Sequence, residues 1–354
     1  MSLLDFRSDN TSGASPRVMD ALAAANAGQT TAYGADEATQ AIERRLAEIF
    51  EHEVSVLLVT TGTAANSLAL ASLVRPWGAV ICHEESHVAD DECGAPEFFS
   101  DGAKLLGLPG IGNKIVPAQI TETLARFREG ALHQVQPQAV SITQATECGT
   151  IYTPGEVHAL KGAADPRGLK LHMDGARFAN ALVTLGCSPA EITWKAGVDV
   201  LSFGGTKNGA FAAEAVVFFD PALAAETKWR RKRSGHTLSK GRFIAAQFEG
   251  LLADDHWLDL ARHANAQANR LADVVEAGGA MRLAWPCQAN EVFVVLPAAM
   301  QDRLKQEGVL YHGWSARALP VDAALEEGEI VGRFVTSFAT VPDAVERLVA
   351  VLRR

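Results

Sequence analysis

Three short segments of the sequence carry residue types that together could do chemistry on a bound cofactor, and each follows an apolar run. Thr60–Thr63 leads into a predicted helix start, where free N–H groups and the helix dipole favour a phosphate. Asp174 follows the run Leu169–Met173, and a carboxylate there can keep a ring nitrogen protonated. Lys207 lies in a glycine-rich loop, and a partly desolvated lysine is the side chain that forms Schiff bases.

Each segment taken alone also has an ordinary structural explanation. Thr63 can cap a helix after the Gly62 turn, Asp174 can cap a helix and pair with Arg177, and Lys207 can be an exposed side chain. The P-loop pattern is absent at Lys207, because Gly209 follows the lysine instead of preceding it. The three segments together match what pyridoxal phosphate requires, so we predict that the chain binds this cofactor.

Two further segments could contribute charge or an acid–base group. His87 follows the run Ala79–Cys82 and could stack on a planar ring or exchange a proton. The neighbouring segment 90–92 (Asp-Asp-Glu) could hold a cation, although a solvated acidic turn is the commoner explanation. The basic segment Arg230–Arg233 could contact a phosphate of a neighbouring subunit, although such runs more often form a solvated helix face.

Hydrophobic periodicity and turn residues predict the elements that position these side chains. Six apolar runs predict strands: Val54–Val59, Ala79–Cys82, Ala139–Thr143, Leu169–Met173, Val198–Phe203 and Ala215–Phe219. The segments between them predict helices over Thr63–Val74, Pro117–Glu129, Pro154–Ala164 and Ala176–Leu185. Apolar strands separated by helices predict an α/β fold with a mostly parallel sheet covered on two sides. Ligands of such sheets bind beyond the carboxyl ends of the strands, where the candidate residues lie.

The pattern changes from about residue 222 onward, which predicts a second domain. A long helix is predicted near residues 256–278, followed by strands at Asn290–Leu296 and Arg333–Phe338 and a helix at Pro342–Leu352. We predict a cofactor-binding large domain over residues 12–250. Residues 251–354, together with residues 1–11, are predicted to form a smaller α+β domain.

Composition excludes several classes of protein. The 354 residues carry a formal net charge of −10, which disfavours a nucleic acid or an anionic membrane as the main partner. The five cysteines form no Cys-x-x-Cys pair, so neither a disulfide framework nor a common zinc spacing is predicted, and we assign no metal site. Because no basic segment precedes an apolar stretch at the start of the sequence, we expect no signal peptide and a cytoplasmic enzyme.

The motifs taken together resemble those of low-specificity L-threonine aldolases, which belong to the aspartate-aminotransferase-like (fold type I) pyridoxal-phosphate enzymes. The matching segments are Arg7–Asn10, Tyr33–Asp36, Gly62–Leu68, His87–Phe99, Ile142–Glu147, His172–Arg177 and Asp199–Gly209. The resemblance implies that fold and that cofactor. It also implies an aldehyde-lyase that cleaves L-threonine, L-allo-threonine and related β-hydroxy-α-amino acids to glycine and an aldehyde.

The resemblance further implies a role for individual residues at the cofactor. These are Lys207 for covalent attachment, Asp174 for the ring nitrogen, His87 for the ring face, Arg177 beside the ring, Gly62 and Thr63 for the phosphate, and Arg230 or Lys232 of a neighbouring chain for the same phosphate. The implied catalytic residues are Lys207, Asp174, His87 and His133.

The resemblance also implies how the substrate is bound and how the chains assemble. Ser8 and Arg333, with Arg177, would bind the substrate carboxylate, and His87 or His133 would accept the proton of the β-hydroxyl group. Since fold type I enzymes build each site from two subunits, a homo-oligomer is implied, and the resemblance suggests a dimer of dimers.

Several alternatives remain open from the sequence. An aldolase that prefers phenylserine and a β-eliminating lyase would use the same cofactor residues. A non-catalytic relative is disfavoured because Lys207, Asp174 and His87 are all present. A nicotinamide-binding Rossmann protein is disfavoured because no Gly-x-Gly-x-x-Gly follows the first strand.

Overall fold

The computed structural model describes residues 4–279 and 281–353. Its strands are β1 (Leu4–Asp5), β2 (Ser55–Val59), β3 (Gly78–His83), β4 (Lys104–Leu108), β5 (Gln136–Thr143), β6 (Lys170–Gly175), β7 (Val200–Gly204), β8 (Glu214–Phe218), β9 (Arg282–Leu283), β10 (Glu291–Leu296), β11 (Val309–Leu310), β12 (His312–Trp314) and β13 (Ile330–Val335). Its α-helices are α1 (Pro16–Ala25), α2 (Glu37–Ile49), α3 (Gly62–Leu73), α4 (His87–Asp90), α5 (Ala95–Phe99), α6 (Pro117–Arg126), α7 (Pro154–Ala164), α8 (Phe178–Leu185), α9 (Pro189–Ile192), α10 (Pro221–Ala224), α11 (Thr227–Arg233), α12 (Arg242–Leu252), α13 (His256–Glu276), α14 (Ala298–Gln306) and α15 (Pro342–Leu352).

A seven-stranded sheet with the order β2-β8-β7-β6-β5-β3-β4 dominates the structure. Neighbouring strands from β7 to β4 run parallel, whereas β8 is antiparallel to both β7 and β2. All six strands predicted for this sheet are present, and the predicted α/β class with a mostly parallel sheet is confirmed. The edge strand β4 was not predicted, because its five residues include Lys104 and Gly107, and none of the five is fully buried.

Local hydrogen bonds decide where the predicted helices begin and end. α7 begins at Pro154 as predicted, because Thr153 and Glu156 form a capping box. α6 ends at Arg126 instead of Glu129, since the Gln134 side chain binds the Arg126 carbonyl and the Arg128 N–H group in place of helical partners.

A four-stranded sheet of order β12-β13-β10-β9 and a two-stranded parallel pair, β1 with β11, form the rest of the β-structure. The predicted strand at Arg333–Phe338 instead spans Ile330–Val335. Antiparallel pairing decides this, because Leu296 lies opposite Ile330 and Glu291 opposite Val335, so the partner strand sets both ends. The division into domains at residue 250 stays a prediction.

Aromatic packing anchors the strand that leads to Lys207. Phe203, in β7, lies 5.5 Å from Trp257 and 5.8 Å from Phe178 between ring centroids, and all three side chains are buried. This contact joins β7 to α8 and α13, so the turn that follows β7 is held on both sides. Among the helices of residues 4–279 and 281–353, none has the length and apolar character required to cross a membrane.

We expect Gly204→Ala to destabilise the protein. A Cβ atom at Gly204 would lie 2.8 Å from backbone atoms of Ala176. To relieve this overlap, the backbone of β7 or of the turn after β6 would have to shift, which is costly in a packed sheet. The free energy of unfolding, measured by urea denaturation, should fall by about 1–3 kcal/mol, as overpacking does elsewhere.

Gly162→Ala is the matched control. Gly162 is exposed in α7, and a Cβ there would meet no atom within 4 Å. Its substitution should raise the free energy of unfolding by about 0.5–1 kcal/mol. A Gly204→Ala protein as stable as the wild type would contradict the close packing of β7 on the β6–α8 turn.

Candidate active site

A cavity of about 280 Å³ lies at the carboxyl ends of β2, β5, β6 and β7, beside the start of α3. This is the edge of the sheet where the sequence placed the candidate residues. Six of the predicted site residues line it: Gly62, Thr63, His87, Asp174, Arg177 and Lys207.

Asp174 lies at the end of β6 and is only 3% exposed. Its Oδ1 atom accepts the Ala176 N–H group at 3.0 Å, and its Oδ2 atom accepts the Asn66 amide at 2.8 Å. α8 begins at Phe178, two residues later than predicted, because Arg177 has non-helical backbone angles of φ −124° and ψ 33°, and the Arg177 side chain lies at the cavity wall. Both carboxylate oxygens retain lone pairs, so the group can accept a further hydrogen bond from a ligand.

Lys207 lies in a short 3-10 turn that follows β7. Gly209 ends this turn with φ of 105°, a left-handed conformation that favours glycine. Within the described residues the Lys207 Nζ atom makes no hydrogen bond and no salt bridge, and the side chain lines the cavity. The amine is therefore available to a ligand.

The start of α3 leaves backbone N–H groups free at the cavity. Thr61 caps this twelve-residue helix, with its Oγ1 atom accepting the Ala64 N–H group at 3.2 Å. The N–H groups of Gly62 and Thr63 precede the first bonds within the helix. A Cβ atom at Gly62 would meet no atom within 4 Å, so the space in front of the helix is open. These donors and the helix dipole fit a phosphate.

His87 is held by a buried carboxylate. Its Nδ1 atom lies 2.8 Å from Glu92 Oε1, while 38% of the His87 side chain is exposed. Because a carboxylate only accepts hydrogen bonds, Nδ1 carries the proton and Nε2 of the neutral ring is left with a lone pair. The hydrogen bond to Glu92 raises the pKa of His87, against the opposing effect of burial.

Asn66 joins Glu92 to Asp174. Its Nδ2 atom lies 2.7 Å from Glu92 Oε1 and 2.8 Å from Asp174 Oδ2, so its two N–H groups serve one carboxylate each. Ligand atoms of His87, Glu92 and Asp174 lie within 4.8 Å of one another, a spacing that a metal ion could also use. The Asn66 amide stands between the two carboxylates as their shared donor, whereas Glu92 Oε2 has no hydrogen-bond partner among the described residues.

Two buried glutamates also line the cavity. Glu147 Oε1 accepts hydrogen bonds from the backbone N–H group of His87 at 2.7 Å and from the Thr143 hydroxyl at 2.9 Å. Glu214 lies 3.3 Å from the Gly205 N–H group, in the loop that carries Lys207. Burial raises the pKa of Glu147 to about 7 and that of Glu214 to about 7.

Arg177 lies on the cavity wall in a cluster of charges. Its Nε atom donates to Asp9 Oδ2 at 2.9 Å, and its Nη1 atom lies 3.2 Å from Glu291. Burial opposes the positive charge of Arg177, but Asp9 and Glu291 outweigh it and raise the pKa. Arg333 lies 3.8 Å from the same Glu291 and stacks 4.1 Å above the Trp314 ring.

Ser8 lies between the residues that contact the two arginines. The preceding Arg7 carbonyl accepts the Arg333 Nη2 donor at 3.2 Å, and the following Asp9 binds Arg177. The Ser8 hydroxyl caps the 3-10 turn by accepting the Asn10 N–H group at 3.1 Å. Ser8, Arg177 and Arg333 are thus brought to one side of the cavity region.

His133, Arg230 and Lys232 are not brought to the cavity of their own chain. His133 is exposed in the turn before β5. The cavity lies at the other end of that strand, and a strand of eight residues is roughly 25 Å long. Arg230 binds the Phe99 carbonyl and Asp101, while Lys232 is exposed over the Tyr33 ring at 4.7 Å. The roles of these three residues stay predictions.

Residues that complete the site were missed by the sequence analysis. Glu92 was grouped with Asp90 and Asp91 as a solvated turn; the interpretation holds for the two exposed aspartates and is wrong for Glu92, which is 4% exposed. Asn66 is buried in α3. The signal that could have identified it is a polar residue within a run of alanines and leucines, since a buried amide needs hydrogen-bond partners. Glu147 ends a segment that resembles the aldolases but was given no role, and Glu214 gave no signal, because only the fold places the two residues at the cavity.

Comparison with known proteins identifies the family of the chain. The model of the β-eliminating lyase family matches residues 5–299. A low specificity L-threonine aldolase of Pseudomonas aeruginosa is 46% identical over 303 residues, which cover 86% of this chain and 87% of the relative. The structure of a threonine aldolase of Leishmania major superposes with a TM-score of 0.91 at 31% identity, covering 99% of this chain and 98% of the other.

The chain belongs to the β-eliminating lyase family. The resemblance to low-specificity L-threonine aldolases, stated above from the motifs, is confirmed by the relatives. The fold type I assignment is confirmed as well, since a methionine aminotransferase of Escherichia coli shares the fold with a TM-score of 0.75 at 15% identity.

We expect Glu92→Gln to lower the pKa of His87. The substitution keeps the size of the side chain and removes the carboxylate charge that stabilises the protonated imidazole. The His87 imidazole, followed by NMR titration, should therefore deprotonate at lower pH than in the wild type.

Asp91→Asn is the matched control, because Asp91 is exposed and adjacent to Glu92. It should leave the His87 titration close to that of the wild type. An unchanged His87 pKa in Glu92→Gln would mean that the 2.8 Å contact does not carry charge stabilisation.

Proposed function

We propose that the chain is a pyridoxal-phosphate-dependent aldehyde-lyase that cleaves L-threonine, L-allo-threonine and related β-hydroxy-α-amino acids to glycine and an aldehyde. The observation that carries the proposal is that the free amine of Lys207, the buried carboxylate of Asp174 and the open start of α3 all face one cavity. The relatives named low specificity L-threonine aldolase support the choice of reaction.

The residues present fit the cofactor. Lys207 would hold it covalently, Asp174 would keep its ring nitrogen protonated, and the N–H groups of Gly62 and Thr63 would bind its phosphate. His87 would lie against the ring face. When bound, pyridoxal phosphate supplies a conjugated ring that accepts the electron pair left at the substrate Cα atom.

Binding of the substrate carboxylate sets which bond breaks. Arg177 donates to Asp9 from Nε and from one N–H of Nη2. The other three of its five N–H donors, two on Nη1 and one on Nη2, are not used by Asp9. Arg177 and Arg333, with the Ser8 hydroxyl, would grip the carboxylate and turn the Cα–Cβ bond perpendicular to the ring. That orientation favours cleavage of this bond over loss of the Cα proton.

His87 is the base we propose for the β-hydroxyl group. Glu92 holds the proton at Nδ1, so the lone pair at Nε2 can accept the hydroxyl proton as the Cα–Cβ bond breaks. The carbonyl of the aldehyde forms as that proton leaves, and the Cα atom is reprotonated before glycine is released. His133, which is not brought to the cavity of its own chain, is the alternative base that the resemblance implies.

We further propose that the active form is a homo-oligomer with sites at the subunit interface. Lys232 and Tyr33 are exposed, and so is Trp229, with 71% of its surface accessible in the same basic helix α11. Lys232 is the better candidate for a neighbouring chain's phosphate, because Arg230 is engaged by Asp101 of its own chain. The dimer of dimers and the cytoplasmic location stay predictions from the sequence.

A product assay separates the proposed reaction from β-elimination. Purified enzyme with pyridoxal phosphate should convert L-threonine to glycine and acetaldehyde. A 2-oxo acid and ammonia as the main products would identify a β-eliminating lyase instead. A phenylserine-preferring aldolase would show a higher kcat/KM for phenylserine than for threonine, with glycine again formed.

Lys207→Ala should abolish both threonine cleavage and the absorbance of the bound cofactor, because none of the other described residues that line the cavity offers an amine. Lys240→Ala, at an exposed position, is the control and should behave as the wild type. Retained activity in Lys207→Ala would defeat the assignment of this residue.

Asp174→Asn should lower kcat for threonine by about 10²–10³, the scale of other electrostatic contacts in active sites. An amide cannot supply the negative charge that keeps the ring nitrogen protonated. The measurement is kcat with cofactor occupancy checked by absorbance, and exposed Asp220→Asn is the control. A wild-type kcat in Asp174→Asn would remove the carboxylate from the mechanism.

A further inference from the structure

The two arginines proposed to bind the substrate carboxylate share one buried carboxylate, that of Glu291. Glu291 Oε2 lies 3.2 Å from Arg177 Nη1, and Glu291 Oε1 lies 3.8 Å from Arg333 Nη1. Glu291 is 1% exposed and begins β10, whereas Arg177 lines the cavity. The carboxylate therefore stands behind the pair of guanidinium groups, away from solvent.

Glu291 differs from Asp9, the other carboxylate in this cluster. Asp9 accepts two directed bonds from Arg177, at 2.9 and 3.3 Å, and a third from the Asn290 amide at 3.0 Å. Neither oxygen of Glu291 has an aligned hydrogen bond among the described residues. Asp9 thus orients Arg177 through geometry, and what Glu291 contributes is negative charge.

That charge balances the cluster in the absence of a ligand. Arg177 and Arg333 carry two positive charges, Asp9 and ionised Glu291 supply two negative ones, and all but small parts of these side chains are buried. Burial raises the pKa of Glu291, and the adjacent Arg177 and Arg333 oppose that effect and favour the ionised carboxylate. Burial lowers the pKa of Arg333, Glu291 opposes that effect, and the neighbouring Arg177 adds to it. Without Glu291 the two guanidinium groups would share a single counter-charge in a site that water reaches poorly.

We propose that Glu291 is a positioning residue that acts as a built-in counter-ion for the Arg177–Arg333 pair and thereby limits how tightly the substrate carboxylate is bound. The inference rests on the proposed function, in which these arginines receive that carboxylate. An incoming carboxylate meets a pair that is already neutralised, so it gains less than it would from two uncompensated cations. Glycine, which carries the same carboxylate, is then released more easily.

Glu291→Gln tests the proposal with little change of shape, because Glu291 has no aligned hydrogen bonds to lose. With the charge removed, a ligand carboxylate supplies the missing counter-charge. The Kd of the holoenzyme for glycine, followed by cofactor absorbance, should fall about tenfold, as expected for one unit charge a few ångströms away at an effective dielectric constant of about 20 or more. The Kd for ethanolamine, which has the amine and lacks the carboxylate, should stay unchanged.

A thermal shift gives a second readout that does not require turnover. The unliganded Glu291→Gln protein should melt below the wild type, and glycine should raise its Tm by more than it raises the wild-type Tm. Glu329→Gln is the matched control, since Glu329 pairs with Arg282 at 2.8 Å at the opposite end of the β10–β13 pair from Glu291. It should leave both the glycine Kd and the glycine-induced shift at wild-type values.

Unchanged or weaker glycine binding in Glu291→Gln would overturn the proposal, and so would an equal change for ethanolamine. If that variant does not fold, the charge-balanced double variant Glu291→Gln/Arg333→Gln is compared with Arg333→Gln alone. The double variant should bind glycine more tightly than the single one, and equal or weaker binding overturns the inference. A wild-type enzyme that fails to cleave threonine would instead overturn the proposed function.

Discussion

Burying a carboxylate at the end of a strand costs free energy unless hydrogen-bond donors or opposite charges surround it, and Asp174 is such a carboxylate. One donor, the Ala176 N–H group, comes from the turn that follows β6 and leads to Arg177 at the cavity. The other donor, Asn66, comes from α3 and binds Glu92 with its second N–H group. Since Glu92 in turn holds His87, the base proposed for the reaction is oriented by the same requirement that satisfies Asp174.

The charges around the cavity are arranged in two separate groups. On one side, Asp174, Glu92 and the Asn66 amide form a negatively charged network that suits a protonated ring nitrogen and an imidazole proton. On the other side, Arg177 and Arg333 are balanced by Asp9 and Glu291. Lys207 reaches the cavity between them without a partner of its own in the described part of the chain. An amino acid matches this division, because its carboxylate suits the side with the two arginines and its amine suits the position of Lys207.

The sequence predicted the main sheet well, because each of its strands is an apolar run bounded by turn residues. It predicted α7 to the residue, since the Thr153–Glu156 capping box and Pro154 are local signals. It misplaced β13, because the end of an antiparallel strand depends on its partner, here Glu291–Leu296. The edge strand β4 has too weak a pattern to be recognised without its neighbour β3.

The sequence by itself determined that Gly62, Thr63, Asp174 and Lys207 lie together at one cavity, because each follows a strand and the carboxyl ends of parallel strands meet at one edge. Only the tertiary structure decided the partners of those residues. Asn66 and Asp174 are 108 positions apart and are joined by one hydrogen bond, while Glu291 meets Arg177 across the junction of β10 with the α8 turn. A residue's type records what it can donate, accept or neutralise, whereas its partner is set by which chain segments pack together, and that depends on burial of the whole core.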